Sequence, residues 1–373
     1  MNRNTYQERL QKCTQLMKAA EMDVLLLIKP ANMAYLTGDG RLCAYAIITR
    51  AGKVALGVPK TDVEDVTSLA CFDHIAGFED EVGMIHSIAH HFEHFGIKQG
   101  TLGLEYGFLT QPRMGMLTHP HGKPEKVAVK DCTPIFSEMR IVKDAEEIAR
   151  IQTASRVASA GMKAAVEAVR PGLTESQVAA EAEYAMRQGG AEEFYRSYVS
   201  SGPRTTIAHG LPTLRKLETG DLVMIDIHPI VNGYSADICR TVCVGRPSQE
   251  QQAAYNLYLK AQQATINKVK APVGMVDLEQ TLHEIIKDAG HGDHIFGPPI
   301  HGVGLEFEES PLPPGHAFFH GEKEPAPLLA NVVIAVGNCG LYVGGFGVRV
   351  EDTVVVTEKG PLVLTDYPRQ LGK

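Results

Sequence analysis

The sequence predicts an α+β protein in two parts, a smaller α/β domain over residues 1–139 and a larger α+β domain over residues 140–373. Three observations carry this. A length of 373 residues suits two domains when about 150 residues is a usual domain size. The first part interleaves helical periodicity with short apolar runs. The second alternates long amphipathic helices with glycine-rich, β-branched stretches at 221–244, 297–308 and 331–357. That alternation suggests helices packed on one face of a curved antiparallel sheet.

Each element has its own signal. Tyr6, Leu10, Cys13, Met17 and Ala20 recur at spacings of four and three, one buried helix face. Val24 to Ile28 is a short apolar run stopped by Lys29-Pro30 and reads as a buried strand. Ala44–Thr49 and Val54–Val58 read as strands around the Ala51-Gly52 turn. A boundary falls near Met139, where the long helix with the stripe Ile148, Ile151, Ala154, Ala158, Met162, Ala165 and Val169 begins, to stop at Pro171-Gly172. Thr174 and Gln177 form a capping box for a second helix that ends at Gly189-Gly190. Two more helices are expected, one after Ser248 and one after Asp277.

Composition narrows the function. Hydrophobic residues at 44% and charged residues at 21% exclude a disordered or fibrous chain. The 36 basic against 44 acidic residues give a net charge of −8, so no global field attracts nucleic acid or an anionic membrane. The opening stretch lacks the apolar core of a secretory signal, and no apolar run is long enough to span a bilayer. Seven cysteines without a CxxC pair point to reduced thiols and a cytoplasmic location.

The segment from Gly220 to Thr241 carries the first chemical signal. Asn232-Gly233 between apolar runs specifies a tight hairpin, since both central positions take positive φ. In that register Asp226 faces Cys239, and Asp237 lies diagonally across on the same side as Asp226, within about 8 Å at Cβ. Two carboxylates so close repel unless a cation lies between them. His228 falls opposite Asp237 and joins them. A hairpin with acidic residues turned to water fits the same pattern equally well.

Two more segments add to it. His301 sits between a Pro-Pro turn and Gly302, in PIHGVGLEFEESP. The stretch from Leu329 to Thr357 reads as a second hairpin turning near Gly344-Gly345, with Asn338 on its first strand and Arg349 and Glu351 on one face of its second. Charges inside an apolar strand are costly to bury unless paired or bound to metal. Other signals carry less. His90, His91 and His94 lack the HExxH arrangement and read as a solvated helix face. Cys239 and Cys243 read as core packing, and no GxSxG elbow is present.

Together, GDLVMID…GYSADICRT, HGVGLEFEESP and GVRVEDTVVVT, with the helix-opening IVKDAEEIARIQTASRVASAG, resemble the creatinase/prolidase or pita-bread family, which includes Xaa-Pro dipeptidases, Xaa-Pro aminopeptidases and methionine aminopeptidases. The resemblance covers essentially the whole chain and implies a creatinase-type N-terminal domain, a pita-bread catalytic domain and a homodimer. It also implies a pair of Mn, Co or Zn ions with a bridging hydroxide. By resemblance Asp226, Asp237, His301 and Glu351 are metal ligands, and Asn338 stands at the remaining ligand position. His209 matches a substrate-contacting histidine, and Arg349 matches an arginine supporting the second glutamate.

The chain also departs from the family pattern. Asn338 replaces a glutamate, Glu308 replaces the histidine of a His-Glu pair whose second member is Glu309, and His228 replaces a common glycine. Only three carboxylates therefore face the ions, and a neutral amide cannot hold or deprotonate water as the glutamate does. His228 is a candidate for a replacement ligand or for substrate contact, Glu309 for substrate contact, and Glu308 for the base. The implied activity is hydrolysis of a peptide C–N bond in an Xaa-Pro dipeptide with one or two divalent ions per subunit. The alternatives are a metal-independent, creatinase- or ectoine-hydrolase-like enzyme using Glu308, His301 and His209 on a small non-peptide substrate, and a binding protein without catalysis.

Overall fold

The structure is a computed structural model that describes residues 3–109, 115, 126–312 and 326–372. The chain divides into two compact units, Met1–Met139 and Arg140–Lys373.

In the first unit, β1 (Val24–Leu27), β2 (Tyr45–Thr49), β3 (Val54–Pro59), β4 (His74–Phe78), β5 (Gln99–Leu104) and β6 (Lys126–Asp131) form a mixed sheet in the order β4-β3-β2-β1-β5-β6. All four residues of β1 are buried, as its unbroken apolar run requires. The helix Arg3–Ala19 buries Tyr6, Cys13 and Met17. Asp80 caps the helix Glu81–His94 by accepting from the Gly83 amide. This helix corrects one expectation. His90 and His94 are exposed, but His91 is fully buried with Nδ1 3.1 Å from the Tyr45 hydroxyl, because this face packs on β2 rather than on water.

The second unit follows the predicted alternation. Its helices Ala145–Ala168, Glu175–Gln188 and Gln249–Lys268 each open on a full capping box, from Asp144 with Glu147, Thr174 with Gln177 and Ser248 with Gln251. The helix expected after Asp277 starts earlier, at Met275, with Gly274 as a cap that donates no side chain. Asp277 thus lies in its first turn, where a carboxylate faces the positive end of the helix dipole.

The strands are β7 (Glu193–Ser201), β8 (Leu222–Val231), β9 (Tyr234–Ser235), β10 (Ile238–Cys243), β11 (Ile300–Gly302), β12 (Val333–Val336), β13 (Leu341–Val343), β14 (Phe346–Val348), β15 (Glu351–Thr357) and β16 (Gly360–Val363). The main antiparallel sheet runs β11-β12-β15-β10-β8-β7, with β9 beside β8 and β16 beside β15. On its helical face Ile225, Ile227 and Ile238 pack with Ala154, Ala158, Met162 and Ala182. Farther along that face, Ile300, Ile334, Val336 and Val354 pack with Ile266 and Leu278. At about 1.5–3 kcal/mol for each fully buried aliphatic side chain, this face anchors the sheet.

The second predicted hairpin differs in detail. Gly344 and Gly345 make its turn with φ of 57° and 81°, but the run from 346 to 357 is two strands. β14 pairs with β13, and β15 joins the main sheet. Asn338 lies in the turn between β12 and β13, not on a strand.

Candidate metal centre

Strand register assembles the site on the sheet face opposite Ile225, Ile227 and Ile238. The Asn232-Gly233 turn, with φ of 51° and 78°, sets β8 against β10 so that Asp226 pairs with Cys239. Cys239 pairs on its other side with Glu351 of β15. Two residues along, His301 pairs with Ala335, and Ala335 with Thr353. The Thr353 hydroxyl accepts from the Asp237 amide at 2.9 Å and donates to the Asp237 carbonyl at 2.8 Å. Because side chains alternate with a period of two, both rows point the same way, and Asp226, His228, Asp237, His301 and Glu351 converge.

All five are at most 2% exposed. His228 Nε2 lies 3.5 Å from Asp226 Oδ1 and 3.4 Å from Asp237 Oδ1. His301 Nε2 lies 3.5 Å from Asp237 Oδ2 and 3.6 Å from Glu351 Oε1. These are ion contacts rather than aligned hydrogen bonds. Asp226 Oδ1, Asp237 Oδ1 and both oxygens of Glu351 are buried without a hydrogen-bond partner. Buried acceptors left in this state are expensive, and a divalent cation is what such a donor set satisfies. The residues present therefore fit the metal that the resemblance implies.

The charges shift one another. Burial raises the Asp226 carboxyl, and Asp237 adds to the effect against Arg349 and His228. Burial and Asp237 raise Glu351 to about 7. Burial opposes ionisation of Asp237 too, but His228 and His301 hold it below the ordinary carboxylate range. Burial works against charge on His228 as well, yet Asp237 and Asp226 outweigh it and bring the imidazole to about 10. Positive charge on the two histidines offsets part of the negative charge of the carboxylates.

The remaining predicted residues occupy distinct places. Arg349 is fully buried and pairs with Asp226 Oδ2, while its Nη1 donates to the Asn338 side-chain oxygen at 3.3 Å. Asn338 thus presents its oxygen to a guanidinium. His209 stands in the more exposed surroundings of the cluster, its ring 5.2 Å from that of Tyr198, and burial with Arg349 lowers its pKa. Glu308 is half-buried and acts on His209 electrostatically. Glu309 is taken up elsewhere. Lys143 Nζ donates to its Oε1 at 2.8 Å, and Arg140 pairs with its Oε2. With both oxygens held by buried cations, Glu309 anchors the His301 loop rather than offering a free carboxylate to substrate.

Sequence reasoning missed three features. Cys239 accepts a hydrogen bond from Arg349 Nε at 3.2 Å, a role its position opposite Asp226 in the hairpin register signals. The Arg196 carbonyl orients His228, with Nδ1 at 2.9 Å. Tyr195 and Phe307 stack at 3.8 Å, and Phe307 lies 5.3 Å from the His228 ring, an aromatic wall beside the cluster.

Comparison with known proteins adds to this geometry. Residues 149–358 match metallopeptidase family M24, and residues 9–142 match the creatinase/prolidase N-terminal domain. The chain belongs to metallopeptidase family M24. The Xaa-Pro dipeptidase of Pyrococcus furiosus is 31% identical over 374 residues, 98% of this chain and 99% of that protein. Among solved structures, the Xaa-Pro dipeptidase from Bacillus anthracis superposes with a TM-score of 0.87 at 27% identity, covering 98% of this chain and 99% of its own. The X-Pro aminopeptidase from Thermotoga maritima gives 0.83 at 28% identity, with 97% and 99% coverage. The pita-bread fold with a creatinase-type N-terminal domain is thereby established, and so is membership of a family of metal-dependent hydrolases of peptide C–N bonds. Relatives named as peptidases do not favour the metal-free or binding-only alternatives.

Proposed function

We propose that this chain is a metal-dependent dipeptidase that hydrolyses Xaa-Pro dipeptides. The observation that carries the reading is the set of buried oxygens without a hydrogen-bond partner on Asp226, Asp237 and Glu351, gathered around His228 and His301. Asp237, His301 and Glu351, with Asp226, would hold a divalent ion of the manganese class. Such an ion lowers the pKa of bound water and polarises the scissile carbonyl.

The protein groups supply the rest. Water oxygen bonds to the carbonyl carbon, the C–N bond breaks, and the water proton reaches the leaving proline nitrogen. Glu308 is the candidate carrier of that proton, and His209 the candidate contact for the substrate's polar end. The Tyr195–Phe307 wall offers an apolar surface suited to a pyrrolidine ring. Arg349 fixes the Asp226 carboxylate through Oδ2 and leaves Oδ1 bare.

All seven cysteines are free thiols, which supports a reducing compartment, the cytoplasm. Among the described residues no helix is long and apolar enough to cross a membrane. The family resemblance supports a homodimer, which light scattering on the purified chain measures directly. The activity is tested by proline release from a panel of Xaa-Pro dipeptides. Stimulation by Mn or Co, loss on chelation and loss in Asp237→Ala are expected. Release that survives exhaustive chelation overturns the reading.

A further inference from the structure

We infer that His228 is a metal ligand that takes the place of the carboxylate absent at Asn338, so that Asp226, His228 and Asp237 would hold one divalent ion and Asp237, His301 and Glu351 a second. This rests on the metal-dependent reading above and decides between the two roles expected for His228, ligand and substrate contact.

The two histidines are built alike. A backbone carbonyl only accepts, so the Arg196 carbonyl 2.9 Å from His228 Nδ1 places the proton there and leaves Nε2 as the ligating atom. The Gly302 carbonyl, 3.1 Å from His301 Nδ1, does the same for His301. A carbonyl on the far nitrogen is the usual device for orienting a metal-bound imidazole. Each Nε2 then faces two carboxylate oxygens, Asp226 Oδ1 and Asp237 Oδ1 for His228, Asp237 Oδ2 and Glu351 Oε1 for His301. The two sets share Asp237 but use different oxygens of it.

The spacing suits ions. Ligand atoms bonded at about 2.1 Å to one ion sit about 3.4 Å apart in a tetrahedral shell. Here the separations from Nε2 are 3.5 and 3.4 Å in one set, 3.5 and 3.6 Å in the other. Arg349 occupies Asp226 Oδ2, which leaves Oδ1 as the only oxygen of that residue for an ion, and Oδ1 is buried without a hydrogen-bond partner. His228 is 2% exposed with both nitrogens directed at protein groups, a poor arrangement for meeting substrate. The exchange conserves the number of donors. The resemblance implies two aspartates, one histidine and two glutamates, and this chain presents two aspartates, two histidines and one glutamate. Asn338 is left to Arg349.

The experiment is metal content per chain, by plasma mass spectrometry on full-length protein stripped with chelator, reloaded with zinc and desalted. Two ions are expected in the wild type, one in His228→Ala, and two again in His228→Ala/Asn338→Glu, which restores the glutamate. A wild type that holds one ion, or a His228→Ala variant that still holds two, overturns the inference while leaving a one-ion dipeptidase intact. A wild type that holds none overturns the metal-dependent reading along with it. Should His228→Ala fail to fold, zinc-edge X-ray absorption on the two-zinc wild type decides. One imidazole per zinc on average is expected, and one per two zincs overturns the assignment.

Discussion

Asn338 offers both its side-chain oxygen and its backbone carbonyl to one nitrogen of Arg349, at 3.3 and 3.2 Å. The guanidinium that holds Asp226 is thus itself held by a neutral residue. Replacing Asn338 with glutamate places a carboxylate beside both the guanidinium and the metal donors. We expect Asn338→Glu to retain Mn about tenfold more tightly, a difference of about 1.4 kcal/mol. Calorimetric titration of the stripped protein measures it, and unchanged or weaker binding contradicts the expectation.

Asp237 is the shared member of both donor sets, and in the absence of metal it is also the counter-charge of His228 and His301. Asp237→Ala should therefore fail in two ways. Metal retention and dipeptide hydrolysis should be lost, and the metal-free protein should be destabilised by about 3–5 kcal/mol, the usual cost of orphaning a buried ion pair. Urea unfolding of stripped wild type and variant separates the second effect from the first.

Glu309 gives a pH signature away from catalysis. Burial favours its neutral form, but Arg140 and Lys143 hold its pKa near 2, below the ordinary 4.5. A lowered folded-state pKa means that the stabilisation is complete above pH 4.5 and is lost as pH falls toward 2. The shift corresponds to about 3 kcal/mol. Glu309→Gln should be less stable than wild type at pH 7, and the gap should narrow as pH falls from 4.5 to 3. A gap constant over that range contradicts the assignment.

Arg349 makes bonds that only a planar fork can make together, to Asp226, to Asn338 and through Nε to Cys239. Lysine cannot reproduce them. Arg349→Lys should cost about 2–4 kcal/mol of stability and lower kcat more than it raises KM, since it frees Asp226, a proposed ligand, rather than removing a substrate contact. Cys239→Ser, which keeps an acceptor for Nε, should be much milder.

Much of this site is legible in the sequence because one turn fixes it. Asn232-Gly233 determines the pairing of β8 and β10, and the opposition of Asp226 and Cys239 follows by counting. Contacts set by distant chain are not legible in the same way. Cys239 meets Glu351 only through the pairing of β10 with β15, and Glu309 meets Lys143 across 166 positions. The strand expected through Asn338 fails for a local reason. Gly337 and Gly340 take φ of 116° and 70°, which bend the chain out of the sheet between β12 and β13. The polarity of His91 alone points it to water, whereas the hydroxyl of Tyr45 that accommodates it lies 46 positions away.

The two-residue turn at Asn232-Gly233 also makes the proposed metal centre all-or-none. Strand side chains alternate, so one residue inserted in that turn would carry Asp237 through the sheet to the face lined by Ile225 and Ile227. No intermediate setting exists in which the carboxylate is merely displaced. A lineage can therefore trade one donor for another across the rows of this sheet, but it cannot gradually drift the centre sideways. Changes in its chemistry arrive as whole substitutions at fixed positions, with the turn length held constant.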